Sequence, residues 1–151
     1  MILLAIDPGS SESAYCVIET TDYSIIDFGK VPNEVILADA KEKYYDAVAI
    51  EMVSSFGMPV GKEVFDTVLV VGRLMQIAYD REIEPELVYR KDVKLNLCGS
   101  TRAKDSNIIQ ALKDRFGDKG TTKNKGWFFG FSKDVWQSYA TGATWIDRKG
   151  R

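Results

Sequence analysis

Two apolar runs in this chain each close on an acidic residue: "ILLAID" ends at Asp7 and "DAVAIE" ends at Glu51. Runs this short and this free of polar residues read as strands covered on both faces, as in the parallel part of an α/β sheet. An acid at the end of such a strand is costly unless it is paired or bound to a cation. Ligand sites of open α/β sheets lie at the carboxyl ends of the strands, so if these two strands are neighbours their carboxylates converge.

The rest of the chain supplies the layers. "AYCVIET" and "YSIIDFG" follow the first run as two more strands, and the short gap at Thr21 and Asp22 predicts an antiparallel hairpin, hence an opening three-strand meander. Residues 33–44 fit a helix with Asn33 as its cap, and residues 62–80 a long one. "ELVYR" reads as a fifth strand. Residues 91–97 read as a short helix or turn, 103–116 as an amphipathic helix, 117–131 as a Gly/Lys-rich loop with aromatics, and 132–146 as a final helix that Ser132 could cap. This order predicts one α/β domain over residues 1–151, a mixed five-stranded sheet flanked by helices. Helix 62–80 is apolar on more than one face, so its surplus is either core or a contact with another subunit. Gly72 in its middle permits close approach.

Composition narrows the chemistry. The 151 residues include no histidine, which removes histidine bases, Ser-His-Asp triads and histidine metal sites. Cys16 and Cys98 form no Cys-x-x-Cys pair; both are expected to be reduced, with Cys16 in a strand core. No apolar run approaches the ~20 residues that span a bilayer. The start lacks the basic segment and cleavage site of a secretory signal, so a cytosolic protein without membrane contact is expected. Catalysis here must rest on carboxylates, lysines, hydroxyls and a bound ion. Carboxylates without histidine favour hard cations such as Mg²⁺ or Mn²⁺.

The net charge of −2 conceals a split. Residues 1–89 hold 6 Lys/Arg and 16 Asp/Glu, residues 90–151 hold 14 and 6, so the halves carry −10 and +8. Either one surface meets a polyanion such as nucleic acid, or the halves neutralise each other. The bases concentrate at Arg90, Lys91, Lys94, Arg102 and Lys104, and again at Lys119, Lys123, Lys125 and Lys133. A third acid, Asp134, falls in the first turn of the last helix, where it is either a dipole-favourable acid or a site residue. "GWFFGF", residues 126–131, reads mostly as core, with a DNA wedge as the alternative.

Taken in order, several segments resemble the RuvC-type Holliday junction resolvases of the ribonuclease H-like superfamily. "LLAIDPGSSESAYCVI" is similar to their opening strand, and "AVAIEMVSSFG" to their second acidic strand and aromatic loop. "LVVGRLMQIAYD" resembles the following long helix, and "RKDVKLNLCGSTRAKDSNIIQAL" the lysine-bearing segment with its helix. "KDVWQSYATGAT" stands where the family has Asp-x-x-Asp and small residues. The match runs over nearly the whole chain, and the short, atypical sequence resembles a phage-type member.

The resemblance implies a ribonuclease H-like fold and an endonuclease that cuts branched DNA, leaving 5′-phosphates, through two Mg²⁺ or Mn²⁺ ions per subunit. It makes Asp7, Glu51 and Asp134 metal ligands, with Asp7 bridging the ions. The family's fourth acid falls on Gln137, a poorer ligand for a hard cation. Either three acids suffice, or the site is impaired, or the sequence was altered to silence cleavage. Lys104 and either Lys94 or Lys91 match the lysines that approach the scissile phosphate. Arg90, Lys91, Lys94, Arg102, Lys123 and Lys125 become phosphate contacts. Phe56 either stacks on an unpaired base or packs under its own loop. A junction's two-fold symmetry implies a homodimer, expected through helix 62–80. A phage-encoded member would act in the cytosol of a bacterial host.

Two rivals remain. With Gln137 the chain could bind junctions without cutting them. "IDPGSS" also resembles the phosphate-binding turn of the actin and sugar-kinase superfamily, but that fold needs a second such turn, and none appears.

Overall fold

The computed structural model describes residues 1–54 and 57–150. Five strands, β1 (Ile2–Asp7), β2 (Glu12–Glu19), β3 (Ile25–Pro32), β4 (Ala47–Met52) and β5 (Pro85–Tyr89), form one mixed sheet in the order β3-β2-β1-β4-β5. β1 runs antiparallel to β2 and parallel to β4, and β4 runs parallel to β5. Five helices accompany them: α1 (Asn33–Glu42), α2 (Lys62–Asp80), α3 (Arg90–Cys98), α4 (Asp105–Phe116) and α5 (Lys133–Lys149). The meander and the α/β order are as the sequence predicts.

The two-residue period of the strands divides the core in two. Leu3 and Ala5 of β1, Ala14 and Cys16 of β2, and Ala47 and Ala49 of β4 pack under α3, α4 and α5. Leu4, Ile6, Tyr15, Val17, Val48 and Ile50 face the other way, under α1 and α2. Each fully buried Leu or Ile contributes about 1.5–3 kcal/mol. Val135 to Asp147 of α5 are all buried, and the helix lies directly on the sheet because Gly142 has no side chain. A Cβ there would sit 2.5 Å from Ile18 Cδ1 and 3.0 Å from Ala5 Cβ.

The far end of α5 is tied down by Asp147, which is 4% exposed. Its carboxylate accepts both Arg115 Nη1 and Nη2 at 2.8 Å, Asn96 Nδ2 at 2.8 Å and Tyr23 Oη at 2.6 Å. One side chain thus joins α5 to α4, α3 and the β2–β3 hairpin. "GWFFGF" is largely core: Phe128 and Phe131 are buried with Trp136 and Tyr139, while Trp127 stays part-exposed and donates Nε1 to Tyr139 Oη at 3.2 Å.

Three local expectations are corrected. Asn33 does not cap α1: Pro32 holds that position and Asn33 is the first helical residue. Its buried amide instead accepts from Ser13 Oγ at 2.7 Å and donates to Gly9 O at 3.0 Å, bonds that outcompete capping. Ser132 stands at the α5 cap position without a side-chain capping bond, and the helix runs on to Lys149. Gly72 meets nothing within 4 Å in its own chain, so the close approach expected there is not made within the chain.

Candidate active site

Strand parity aims the two acids. Asp7 continues the Leu3, Ala5 row and Glu51 the Ala47, Ala49 row, so both project from the sheet face that α5 covers. The parallel register pairs Ile6 with Ile50, which puts Asp7 beside Glu51 at the carboxyl ends of the central strands. Asp7 stands at the mouth of two clefts. One, of about 300 Å³, is lined by Glu51, Val53, Val64 and Arg90. The other, of about 260 Å³, is lined by Gly9, Glu12, Ala14, Lys30 and Asp134. The turn that closes the second cleft is tight because Gly9 abuts the backbone of Glu12 and Asn33 holds it from behind.

Two facing carboxyls share this end of the sheet with one guanidinium. Burial first, then the facing Glu51 and the more distant Asp134, push the Asp7 carboxyl up to about 9, with Arg90 opposing. Glu51 is 7% exposed. Its Oε1 accepts Arg90 Nη1 at 2.9 Å, and its buried Oε2 has no hydrogen-bond partner among the described residues. An unpaired buried carboxylate oxygen facing a second carboxylate is what a cation between them would satisfy. Asp134, in the first turn of α5, is bound to Lys30 of β3, Nζ to Oδ2, at 2.6 Å.

The structure therefore brings Asp7, Glu51 and Arg90 together, with Asp134 reaching the other side of Asp7. The three acids do not form a ready cage: among the described residues, no group of three acidic or thiol side chains is arranged to hold an ion. Lys30 pairs with Asp134 and Arg90 with Glu51 instead. Arg90 also pairs with Asp105 at the start of α4. Lys104 is next in the chain; its N–H donates to Asn107 Oδ1, and its exposed side chain pairs with none of the acids. Arg102 lines a separate cleft with Cys98, Ser100 and Asn107. Lys91 and Lys94 ride on α3, and Lys123 and Lys125 on the 117–131 loop. None of these six bases, from Lys91 to Lys125, forms an ion pair among the described residues. Gln137 is buried one turn into α5 from Asp134. Phe56 lies outside the described residues.

Lys30 and Asp105 are site neighbours that sequence reading missed. One signal was available for Lys30: it is the only basic residue in the first 40.

Neither a protein-family model nor a curated protein sequence matches the chain. Solved structures do. RuvC from Thermus thermophilus superimposes with a TM-score of 0.75 at 15% identity, covering 99% of this chain and 97% of that one. The same species' RuvC in complex with a Holliday junction substrate gives 0.74 at 16%, covering 99% and 96%. The fowlpox virus Holliday junction resolvase gives 0.60 at 12%, covering 99% of both chains. The fold is therefore the ribonuclease H-like α/β fold, as the sequence implied.

Proposed function

We propose that this chain is a divalent-ion-dependent DNA endonuclease that cuts branched DNA, four-way junctions above all, and that residues 1–151 act as one nuclease domain. The observation that carries this reading is the buried, unpartnered Oε2 of Glu51 facing Asp7 at the central strand ends. The neighbours named for Holliday junctions lend it direction.

The residues present fit one ion. Asp7 and Glu51 offer hard oxygen ligands in a cleft large enough for an ion and its waters. A divalent ion there would supply charge neutralisation at the scissile phosphate and acidify water. They do not fit the second ion of a two-ion site: Gln137 is neutral, and Lys30 already holds Asp134. Arg90 balances Glu51 and can turn to a phosphate when Glu51 is otherwise satisfied. Lys91, Lys94, Lys104, Arg102, Lys123 and Lys125 would give phosphate affinity without sequence choice, and Phe56 a stacking ring. The products would carry 5′-phosphate and 3′-hydroxyl ends.

The test is a synthetic four-way junction with Mg²⁺ or Mn²⁺. Nicks with 5′-phosphate ends, absent from linear duplex and abolished by EDTA, are expected. Junction retention with no nicks would instead mean a non-cleaving binder.

Paired nicks need two sites, and α2 offers a dimer surface. Phe65, Val68 and Leu69 are exposed at helical spacing with Gly72, opposite the buried Val70, Val71 and Leu74. An isolated chain should gain up to about 1 kcal/mol from Gly72→Ala through helix propensity. In a dimer that closes on Gly72, the same change should weaken association at least tenfold in sedimentation equilibrium. A monomeric wild type at micromolar concentration would refute the dimer. Among the described residues no helix is long and apolar enough to cross a membrane. We place the activity in the cytosol, that of a bacterial host if the chain is phage-borne.

A further inference from the structure

We infer that Lys30 takes the place of the second metal ion, so that the chain cuts DNA with one divalent ion and one ammonium group. This rests on the nuclease reading above and specifies its chemistry.

The sheet register makes the case. Asp7 pairs with Ala14 across β1–β2, and Ala14 pairs with Lys30 across β2–β3. The three residues form one cross-strand row on the face that α5 covers. Strands lie about 4.8 Å apart, so the Asp7 and Lys30 backbones are separated by about 10 Å, spanned by the smallest chiral side chain. Ala14 thus floors a cleft with Asp7 on one wall and Lys30 and Asp134 on the other. Lys30 Nζ lies 2.6 Å from Asp134 Oδ2. Gln137, three residues on and on the same face of α5, supplies no charge there. One half of the site therefore holds a neutral amide at Gln137 and a cation, Lys30, paired with Asp134. In the other half Glu51 Oε2 is buried without a hydrogen-bond partner among the described residues, and Lys30 does not reach it.

A lone ammonium in this position has defined work. In hydrolysis, the water oxygen bonds to phosphorus as the bond from phosphorus to the 3′ oxygen breaks. The water's spare proton is lost to solvent, and the 3′ oxygen takes one up from solvent. Charge grows on that departing oxygen, and a pre-positioned cation stabilises it without reorganisation. Lys30 is the fixed cation on the Asp134 side of the cleft, and Asp134 keeps it oriented toward the site.

The test counts ions. Manganese bound per chain is measured by electron paramagnetic resonance during titration of the 151-residue chain, alongside nicking of a four-way junction. Wild type should bind one Mn²⁺ per chain and nick. Lys30→Met should still bind one, nick about 100-fold more slowly and unfold at the wild-type temperature, since Lys30 is exposed. Lys30→Arg should recover part of the rate. Lys30→Met combined with Gln137→Asp should bind two Mn²⁺. Two ions on the nicking wild type, or undiminished nicking by Lys30→Met, would overturn the role of Lys30 and leave the nuclease reading intact. A wild type that binds no Mn²⁺, or never nicks, would remove the nuclease reading and this inference with it.

Discussion

Asp7→Asn is expected to lower junction nicking at least about 1,000-fold while junction affinity stays within a few-fold of wild type. Asp7 lines both clefts, so in the proposed mechanism its loss removes a ligand of the ion while the bases that hold the DNA stay in place. The bases proposed to contact phosphate, by contrast, are spread over α3, the segment before α4 and the 117–131 loop. The same change should stabilise the metal-free fold by about 1–3 kcal/mol, because it removes one of two facing buried carboxylates. Activity and stability would move in opposite directions, a pattern that a merely structural aspartate does not give. Nicking at the wild-type rate, or a fall in melting temperature in EDTA, would contradict the site.

Much of this site is legible in the sequence because strand geometry is periodic. Once "ILLAID" and "DAVAIE" are read as buried strands, the two-residue period puts Asp7 with Leu3 and Ala5, and Glu51 with Ala47 and Ala49. Helix α2 has the bounds its apolar spacing predicts, and its second apolar stripe is exposed rather than absorbed into the core. Lys30 was not legible, because its place in the same cross-strand row as Asp7 follows from the register of two consecutive antiparallel pairings. The β2–β3 ladder carries a register irregularity at Val17/Ile18, which no local pattern encodes. The caps failed for a related reason. Asn33 has the residue type of a cap but is recruited by Ser13 and Gly9, far from it in sequence. The charge split is answered in part within the fold. Arg90–Glu51, Lys30–Asp134 and Lys149–Glu86 join the halves, while Lys91, Lys94, Lys104, Lys123 and Lys125 form no ion pair among the described residues.

The largest stability effect is expected at Asp147, outside the site. Asp147→Ala would strand Arg115, Asn96 and Tyr23 together, which costs about 3–5 kcal/mol. That corresponds to a fall of about 10 °C or more in melting temperature for a chain of this size. Asp147 also sets an acid limit. Burial raises its carboxyl, but the bonds from Arg115, Asn96 and Tyr23 override burial and hold it down at about 2. A carboxyl depressed in the folded state contributes stability above its ordinary value near 4, and that stability is lost as pH falls from there toward 2. The contribution is about 2 kcal/mol. Urea midpoints of the wild type should therefore drop between pH 4 and pH 2 more steeply than those of Asp147→Asn, which has no proton to gain. Parallel curves, or an Asp147→Ala variant within 1 kcal/mol of wild type, would show that α5 is held by its apolar face alone. The anchor and the candidate site share one element, because α5 carries Asp134 at one end and Asp147 at the other. Loosening the anchored end would strain the close packing of α5 on Ala5 and Ile18 at Gly142.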